Sequence, residues 1–242
     1  MKRFTSSLKR AATLPLALAA TLLLASCGGG DPFAGLWTGS LEGNRQARTI
    51  MLGDGSYYML YTRAGTSLTG GFIRGQGDFH GARITSTDAR DYNWEGRRTR
   101  PATLEAKLSP RQSVSGTVGG TVPFELSYQK EFDYDAQLAL LAGAFKGQVA
   151  FVGGYRNATF TVSPTGALST DIDGCLITGT VSPRADGNAY DLTITFGGGV
   201  CVFPHVSFTG VALFGGEDKR LDAAVVNPAF LGGQGIAFTG FR

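Results

Sequence analysis

The chain has 242 residues, 22 of them basic and 19 acidic, for a formal net charge of +3. Charged residues make up only 17%, and 36 glycines are spread through apolar and β-branched runs. This excludes a disordered chain and argues against helices, and it suits short strands joined by tight turns.

Lys2, Arg3, Lys9 and Arg10 open the chain, and residues Ala11 to Ala25 are almost wholly apolar. A basic start, an apolar run and small residues form the layout of a secretory signal. The run is about 15 residues against roughly 20 for a spanning helix, and Pro15 interrupts it. Leu24-Ala25-Ser26-Cys27 resembles a bacterial lipobox. That resemblance implies cleavage after Ser26, lipid on Cys27 and attachment to a membrane. Lipoproteins held at the inner membrane carry an aspartate after the cysteine; Gly28 stands there instead and implies the outer membrane, leaving the facing side open. Gly28-Gly29-Gly30 reads as a flexible tether. Loss of the four basic leader residues leaves 18 basic against 19 acidic residues, so the mature chain offers no electrostatic footprint for nucleic acid.

Strand signals follow in quick succession. Leu36 to Leu41, Thr49 to Leu52 and Ser56 to Thr62 come first, with Gly53-Asp54-Gly55 as a turn. Tyr57-Tyr58-Met59-Leu60-Tyr61 carries bulky groups on both faces. One face fits a module interior and the other a partner module, a ligand cavity or a docking surface. Leu68 to Phe79 reads as a glycine-kinked strand. Thr103 to Leu108, Ser113 to Val118 and Phe124 to Tyr128 complete the first half. Ala136 to Leu141 is a short helical connector. Then come Lys146 to Phe151, Ala158 to Val162, Leu168 to Ile172, Leu176 to Val181, Tyr190 to Phe196, Val206 to Phe214, Leu221 to Val226 and Ile236 to Phe241.

An internal repeat divides these strands. Phe33-Ala-Gly35-Leu-Trp37-Thr-Gly39-Ser-Leu41 aligns with Leu141-Ala-Gly143-Ala-Phe145-Lys-Gly147-Gln-Val149, glycine on glycine, with bulky residues at even spacing on one strand face. The expected fold is all-β, two small related antiparallel barrels or sandwiches in tandem. The segments are a signal peptide over 1–26, a tether over 27–32, and modules over 33–130 and 131–242. One continuous sandwich or barrel is the competing arrangement. Seven or eight strands per module suit a small closed barrel, and the scattered glycines favour barrels over sandwiches.

With Cys27 lipidated, Cys175 and Cys201 remain in a compartment where disulfides persist. They pair as a disulfide or stand as buried thiols; as metal ligands they lack the partner set that a structural zinc site needs.

Gly35-Leu36-Trp37 resembles the Gly-x-Trp of lipocalins, which implies a carrier of apolar ligands. A broader likeness runs from Tyr134 to Gly143 through Gly174-Cys175, Gly179, Pro183-Arg184, Asn188 to Asp191, Thr195-Phe196-Gly197 and Cys201 to Phe238-Thr-Gly240-Phe-Arg242. It resembles a group of uncharacterised proteobacterial outer-membrane lipoproteins. That likeness implies a secreted β domain with a cysteine pair and carries no catalytic residue across. In style the paired glycine-rich barrels are similar to transferrin-binding protein B-like surface lipoproteins.

Candidate chemistry is thin. His80 and His205 have no nucleophile and acid arranged beside them in sequence, and neither Gly-x-Ser-x-Gly nor His-Glu-x-x-His occurs. Glu131, Asp133 and Asp135 lack the turn glycine and distal glutamate of a calcium loop. Asp171 and Asp173 sit two apart, as at a turn, rather than across a cleft. No cofactor or metal set is expected. Trp94, Arg97, Arg98 and Arg100 form the candidate binding loop, since tryptophan and arginine dominate binding hot spots and arginine forks suit anionic groups. The resulting expectation is a membrane-tethered, non-enzymatic binding or structural module with an envelope protein, glycan or lipid as partner. A carrier of apolar ligands and an envelope hydrolase are the alternatives.

Overall fold

In a computed structural model, residues 31–230 and 233–242 are described, and nearly all of the architecture is antiparallel strand. The first described strands form a four-strand meander, β1 (Gly35–Leu41), β2 (Arg45–Met51), β3 (Ser56–Thr62) and β4 (Thr69–Gln76). Four short strands follow, β5 (Asp78–His80), β6 (Arg83–Ser86), β7 (Arg90–Asn93) and β8 (Arg98–Pro101). Then come β9 (Leu104–Ser109), β10 (Ser113–Val118) and β11 (Val122–Gln129). Their spatial order is β5-β6-β9-β10-β11-β1-β2-β3-β4-β7-β8. The last long strand returns beside the first, from Leu36↔Gln129 to Leu41↔Phe124.

This first sheet departs from the expected seven or eight strands. It has eleven, and it curls without closing. The expected strand over Leu68 to Phe79 divides into β4 and β5, and the further strands β6 to β8 have only four residues each and are rich in arginine and threonine, so they carry no apolar alternation to announce them.

A 3-10 turn (Lys130–Asp133) and a one-turn helix α1 (Leu138–Leu141) lead into the second sheet. Its strands are β12 (Gly143–Phe151), β13 (Gly154–Val162), β14 (Ala167–Ile172), β15 (Cys175–Pro183), β16 (Tyr190–Phe196), β17 (Ser207–Gly215), β18 (Arg220–Val226) and β19 (Gly235–Phe241). They form an up-and-down barrel closed by β12 on β19, from Lys146↔Phe241 to Phe151↔Ile236. Eight strands give a bore that side chains can fill.

The internal repeat has a physical basis. In each sheet its strand comes first and pairs with both the second and the last strand. Trp37 and Phe145 are fully buried at matching positions. A Cβ at Gly39 would lie 2.1 Å from the Glu125 carbonyl, and one at Gly147 2.0 Å from the Thr239 carbonyl. Only glycine lets the first strand cross its last partner this closely.

Three apolar clusters result. One fills the barrel, and one fills the hollow of the curled sheet around Trp37, Tyr57, Met59 and Tyr61. The third is the seam between the sheets. There Tyr58, Leu60, Phe72, Tyr92 and Trp94 lie over Ala150, Ala224, Ala237 and Val211 on the outside of the barrel. Large rings meet small residues, so the two faces interlock at close range. β3 therefore buries both faces, Tyr57, Met59 and Tyr61 inward and Tyr58 and Leu60 at the seam, which explains its lack of polar alternation.

Candidate functional site

The barrel ends differ. One is capped. Leu141 of α1 is fully buried there, Tyr190 donates its hydroxyl to the Gln137 carbonyl at 3.0 Å, and Arg242 donates to the Leu140 and Ala142 carbonyls. The chain enters on this side, because Asp31 lies beside Gly53, whose N–H donates to Asp186 in the β15–β16 connection at 2.9 Å.

The opposite end is a mouth. Around it stand the β12–β13 turn with Val152, the β14–β15 turn at Asp173 and Gly174, and the connection over 197–206. Cys175 and Cys201 form a disulfide that pins this connection to the start of β15. The Gly197 N–H donates to the Leu176 carbonyl at 2.8 Å, and the His205 N–H to the Gly197 carbonyl at 3.1 Å. Phe203 turns inward, its ring 5.4 Å from that of Phe196 and 5.2 Å from that of Phe208. Val200 and Val202 border the cavity opening and are 71% and 64% exposed, and Leu176 (54%) and Val152 (43%) are exposed at the same end. Below lies a cavity of about 190 Å³ walled mainly by Phe151, Ile172, Ile177, Ile194, Phe196 and Phe203. Arg156 and Asp173 pair across its rim at 3.5 Å. Deeper in the barrel only about 30 Å³ stays open, so the lipocalin-style internal cup is not formed: rings such as Phe145, Phe160 and Phe238 fill the bore.

The residues of the 94–100 loop do not converge. Trp94 turns the β7–β8 hairpin but lies only 5% exposed in the seam, its ring 5.4 Å from that of Phe72. The Arg100 guanidinium pairs with buried Asp91 at 3.0 Å, and Asp91 also accepts the Tyr61 hydroxyl at 2.6 Å. Burial first, then the Asp91 carboxylate, pushes the Tyr61 phenol well above its usual range, so it remains a donor. Arg97 and Arg98 are exposed.

Other candidates resolve into structure. His80 is exposed at the end of β5, and His205 shapes the pinned connection with a φ of 60°. Asp171 accepts the Gly174 N–H at 2.9 Å, which makes it a turn former. Glu131 accepts from Arg48 at 2.8 Å, and Asp133 accepts from Arg111 and Tyr128. Among the described residues no group of three His, Cys, Asp or Glu side chains could hold a metal. Cys27 lies outside the described residues.

Sequence reasoning missed the polar anchors of the seam. Asp222, only 1% exposed, lies 2.8 Å from Arg220 and 3.3 Å from Arg48, contacts too oblique to be hydrogen bonds at that oxygen. Its other oxygen accepts from Arg220 at 3.0 Å and from the Thr239 hydroxyl at 2.8 Å. The signal was present: a lone carboxylate inside Leu221-Asp222-Ala223-Ala224-Val225 is costly to bury unless paired. A groove of about 320 Å³ runs beside these charges, but Asp222 and Glu131 already neutralise both guanidiniums.

No protein-family model matches the chain, and no curated protein matches its sequence. Among solved structures, isotype 1 transferrin binding protein B from serogroup B Neisseria meningitidis is similar with a TM-score of 0.29 and 9% identity. The match covers 82% of this chain and 65% of that one, so this chain spans a little under two thirds of its length.

Proposed function

We propose that this protein is a lipid-anchored, non-enzymatic binding module of the bacterial outer membrane, and that the barrel mouth is its binding end. In this reading residues 1–26 are removed, Cys27 carries lipid, 27–32 form the tether, and the modules span 33–130 and 131–242. The carrying observation is the opposition of the two ends. Asp31 sits at the capped end, while Val152, Leu176, Val200 and Val202 expose apolar surface at the other. Large exposed apolar side chains gathered at one end of a fold point to an interaction site. Tilted strands of six to nine residues hold that surface roughly 20 Å beyond the point of attachment, facing away from the anchoring membrane and towards another envelope component.

Two measurements test this. An alkyne-palmitate label is expected on the wild-type chain in growing cells and absent from Cys27→Ser. A photo-crosslinking residue at position 200 of the anchored protein is expected to give a discrete product that the same probe at Glu217, on the capped side, does not. An unlabelled wild-type chain overturns the anchor, and equal crosslinking at both positions overturns the assignment of the binding end.

A further inference from the structure

Three features compete for a role that the tether does not explain: the Arg97–Arg98 turn, the seam groove and the cavity under the pinned connection. The turn displays two exposed cations without a built recess around them. The groove has its charges internally satisfied. The cavity alone has shape, chemistry and a boundary.

Its volume is about 190 Å³. An apolar cavity of about 150 Å³ stays dry and accepts a six-carbon ring, and a water occupies about 30 Å³ of liquid. The space therefore suits six to eight carbon atoms. Its shape favours a chain over a ring. Val149, Phe160, Ile194 and Ile236 line both this cavity and the 30 Å³ space beneath it, so the open volume tapers inward along the bore. Val200 and Val202 stand where the part of a chain leaving the cavity would need cover. Arg156 stands at the rim, half exposed. It donates to the Tyr155 carbonyl at 2.8 Å, and its ion pair with Asp173 spans 3.5 Å to a partner 80% exposed. An exposed pair of that length exchanges readily for another anion.

We infer that the barrel mouth binds the end of one straight acyl chain of an anionic amphiphile, six to eight carbons inside the cavity and the head group at Arg156. This rests on the mouth being the binding end. The disulfide belongs to the site, because it holds the connection that roofs the cavity.

The test is a titration of the full mature chain carrying Cys27→Ser, so that its own lipid does not compete, with straight-chain carboxylates from butanoate to dodecanoate below their micelle concentrations. Methyl NMR provides the readout. Affinity is expected to rise about fourfold per added methylene and to level off at six to eight carbons, with the methyl signals of Ile172, Ile194 and Ile236 shifting together. Ile172→Trp, a half-buried rim position that tolerates a ring, is expected to weaken octanoate at least tenfold. Arg156→Glu is expected to weaken octanoate about fivefold and to strengthen octylammonium. Absence of saturable binding, a rise that continues unbroken to dodecanoate, or an Ile172→Trp variant that binds as wild type overturns the inference. A discrete crosslink at position 200 together with failed carboxylate binding removes the acyl chain and leaves the binding end standing.

Discussion

The first sheet and the barrel start from the same strand and end differently. In both, the opening strand lies between the second and the last, with Gly39 or Gly147 at the close crossing and Trp37 or Phe145 as the buried peg. The barrel then runs strand by strand to closure. In the first sheet β4 and β9, which continued strands would join, are separated by two hairpins. β5–β6 extends from β9 and β7–β8 from β4, and they leave a slit between β5 and β8. Backbone ladders seal the barrel. Side chains draw the slit together, Tyr57 donating to Ser86 and the Gln76 N–H to Asp88, while Tyr61 donates to Asp91 within the β3-β4-β7 flank. A closed ladder permits a bore lined by apolar groups, whereas an open one has to bury carboxylates and hydroxyls with their partners. The slit sheet also gives up its convex face, Tyr58 and Phe72 included, to the barrel wall. It depends on its neighbour in a way that a closed barrel need not.

The largest effect tests that dependence. Phe72→Ala removes a fully buried ring that stacks on Tyr92 at 4.5 Å and meets Gly235 of β19. A loss of about 3–5 kcal/mol is expected, and it is expected to split a single unfolding transition into two, the slit sheet melting first. Calorimetry checks it; a wild-type chain that already melts in two steps would show that the seam does not couple the halves. The next effect sharpens the barrel side. Replacing Cys175 and Cys201 together with serine frees a connection closed across a sequence separation of 26. The chain-entropy estimate is roughly 3.5 kcal/mol, lost from the barrel. Because the first sheet leans on the barrel, urea unfolding is expected to shift equally by tryptophan fluorescence, which reports Trp37 and Trp94 of the first sheet, and by far-ultraviolet circular dichroism, which reports both halves; fluorescence that shifts less would show that the first sheet stands without the barrel.

The contrast also explains what the sequence could reveal. Alternating apolar positions from Leu104 to Leu108 and from Tyr190 to Phe196 mark strands with one buried face, and those segments coincide with β9 and β16. The repeat at Gly39 and Gly147 was visible because a steric demand permits one residue type. The slit was not visible. Arg83 to Pro101 carries its pairing in the backbone, and short arginine-rich strands look like a surface loop. Trp94 misled for a related reason. A tryptophan beside arginines resembles a hot spot, and only the seam, which adds Ala224 and Ala237 from more than a hundred positions away to the same buried cluster, shows that the ring is packed inside. The mouth was equally hidden, because Val152, Leu176, Val200 and Val202 lie on three separate segments that barrel closure brings to one end.

A smaller effect probes the polar fastening of the β7–β8 flank. Asp91→Asn keeps the shape but removes the charge that holds Arg100 and accepts from Tyr61. A loss of about 1–3 kcal/mol is expected, confined to the slit sheet and read as faster amide exchange in β7 and β8 with the barrel amides unchanged. Equal acceleration in both sheets would mean that the fastening serves the whole molecule.

The smallest effect concerns the capped end, where Asp186 joins the halves by accepting from the Gly53 N–H at 2.9 Å and from Arg184 at 2.9 Å. Burial alone pushes its carboxyl up, but the hydrogen bonds from Arg184 and Gly53 outweigh that and hold it below its ordinary 3.8. A folded-state value below the unfolded one stabilises above the unfolded value and is lost as pH falls through the folded one. The contribution is therefore intact from pH 7 down to about 5 and fades below about 4. Part of the group faces water, so Asp186→Asn is expected to cost only about 1 kcal/mol at neutral pH. Glu131 shifts the opposite way, because burial outweighs the pull of Arg48 and raises its carboxyl above 4.5. Its stabilising share is present in acid and lost as pH rises through the folded value. The two carboxylates thus oppose each other in a simple acid titration, and the informative quantity is the gap between wild type and Asp186→Asn. That gap is expected to narrow progressively as the solution is acidified below about pH 4. A gap constant with pH would show that Asp186 acts through shape alone, and that the halves are joined by the apolar seam without an ionic clamp at the capped end.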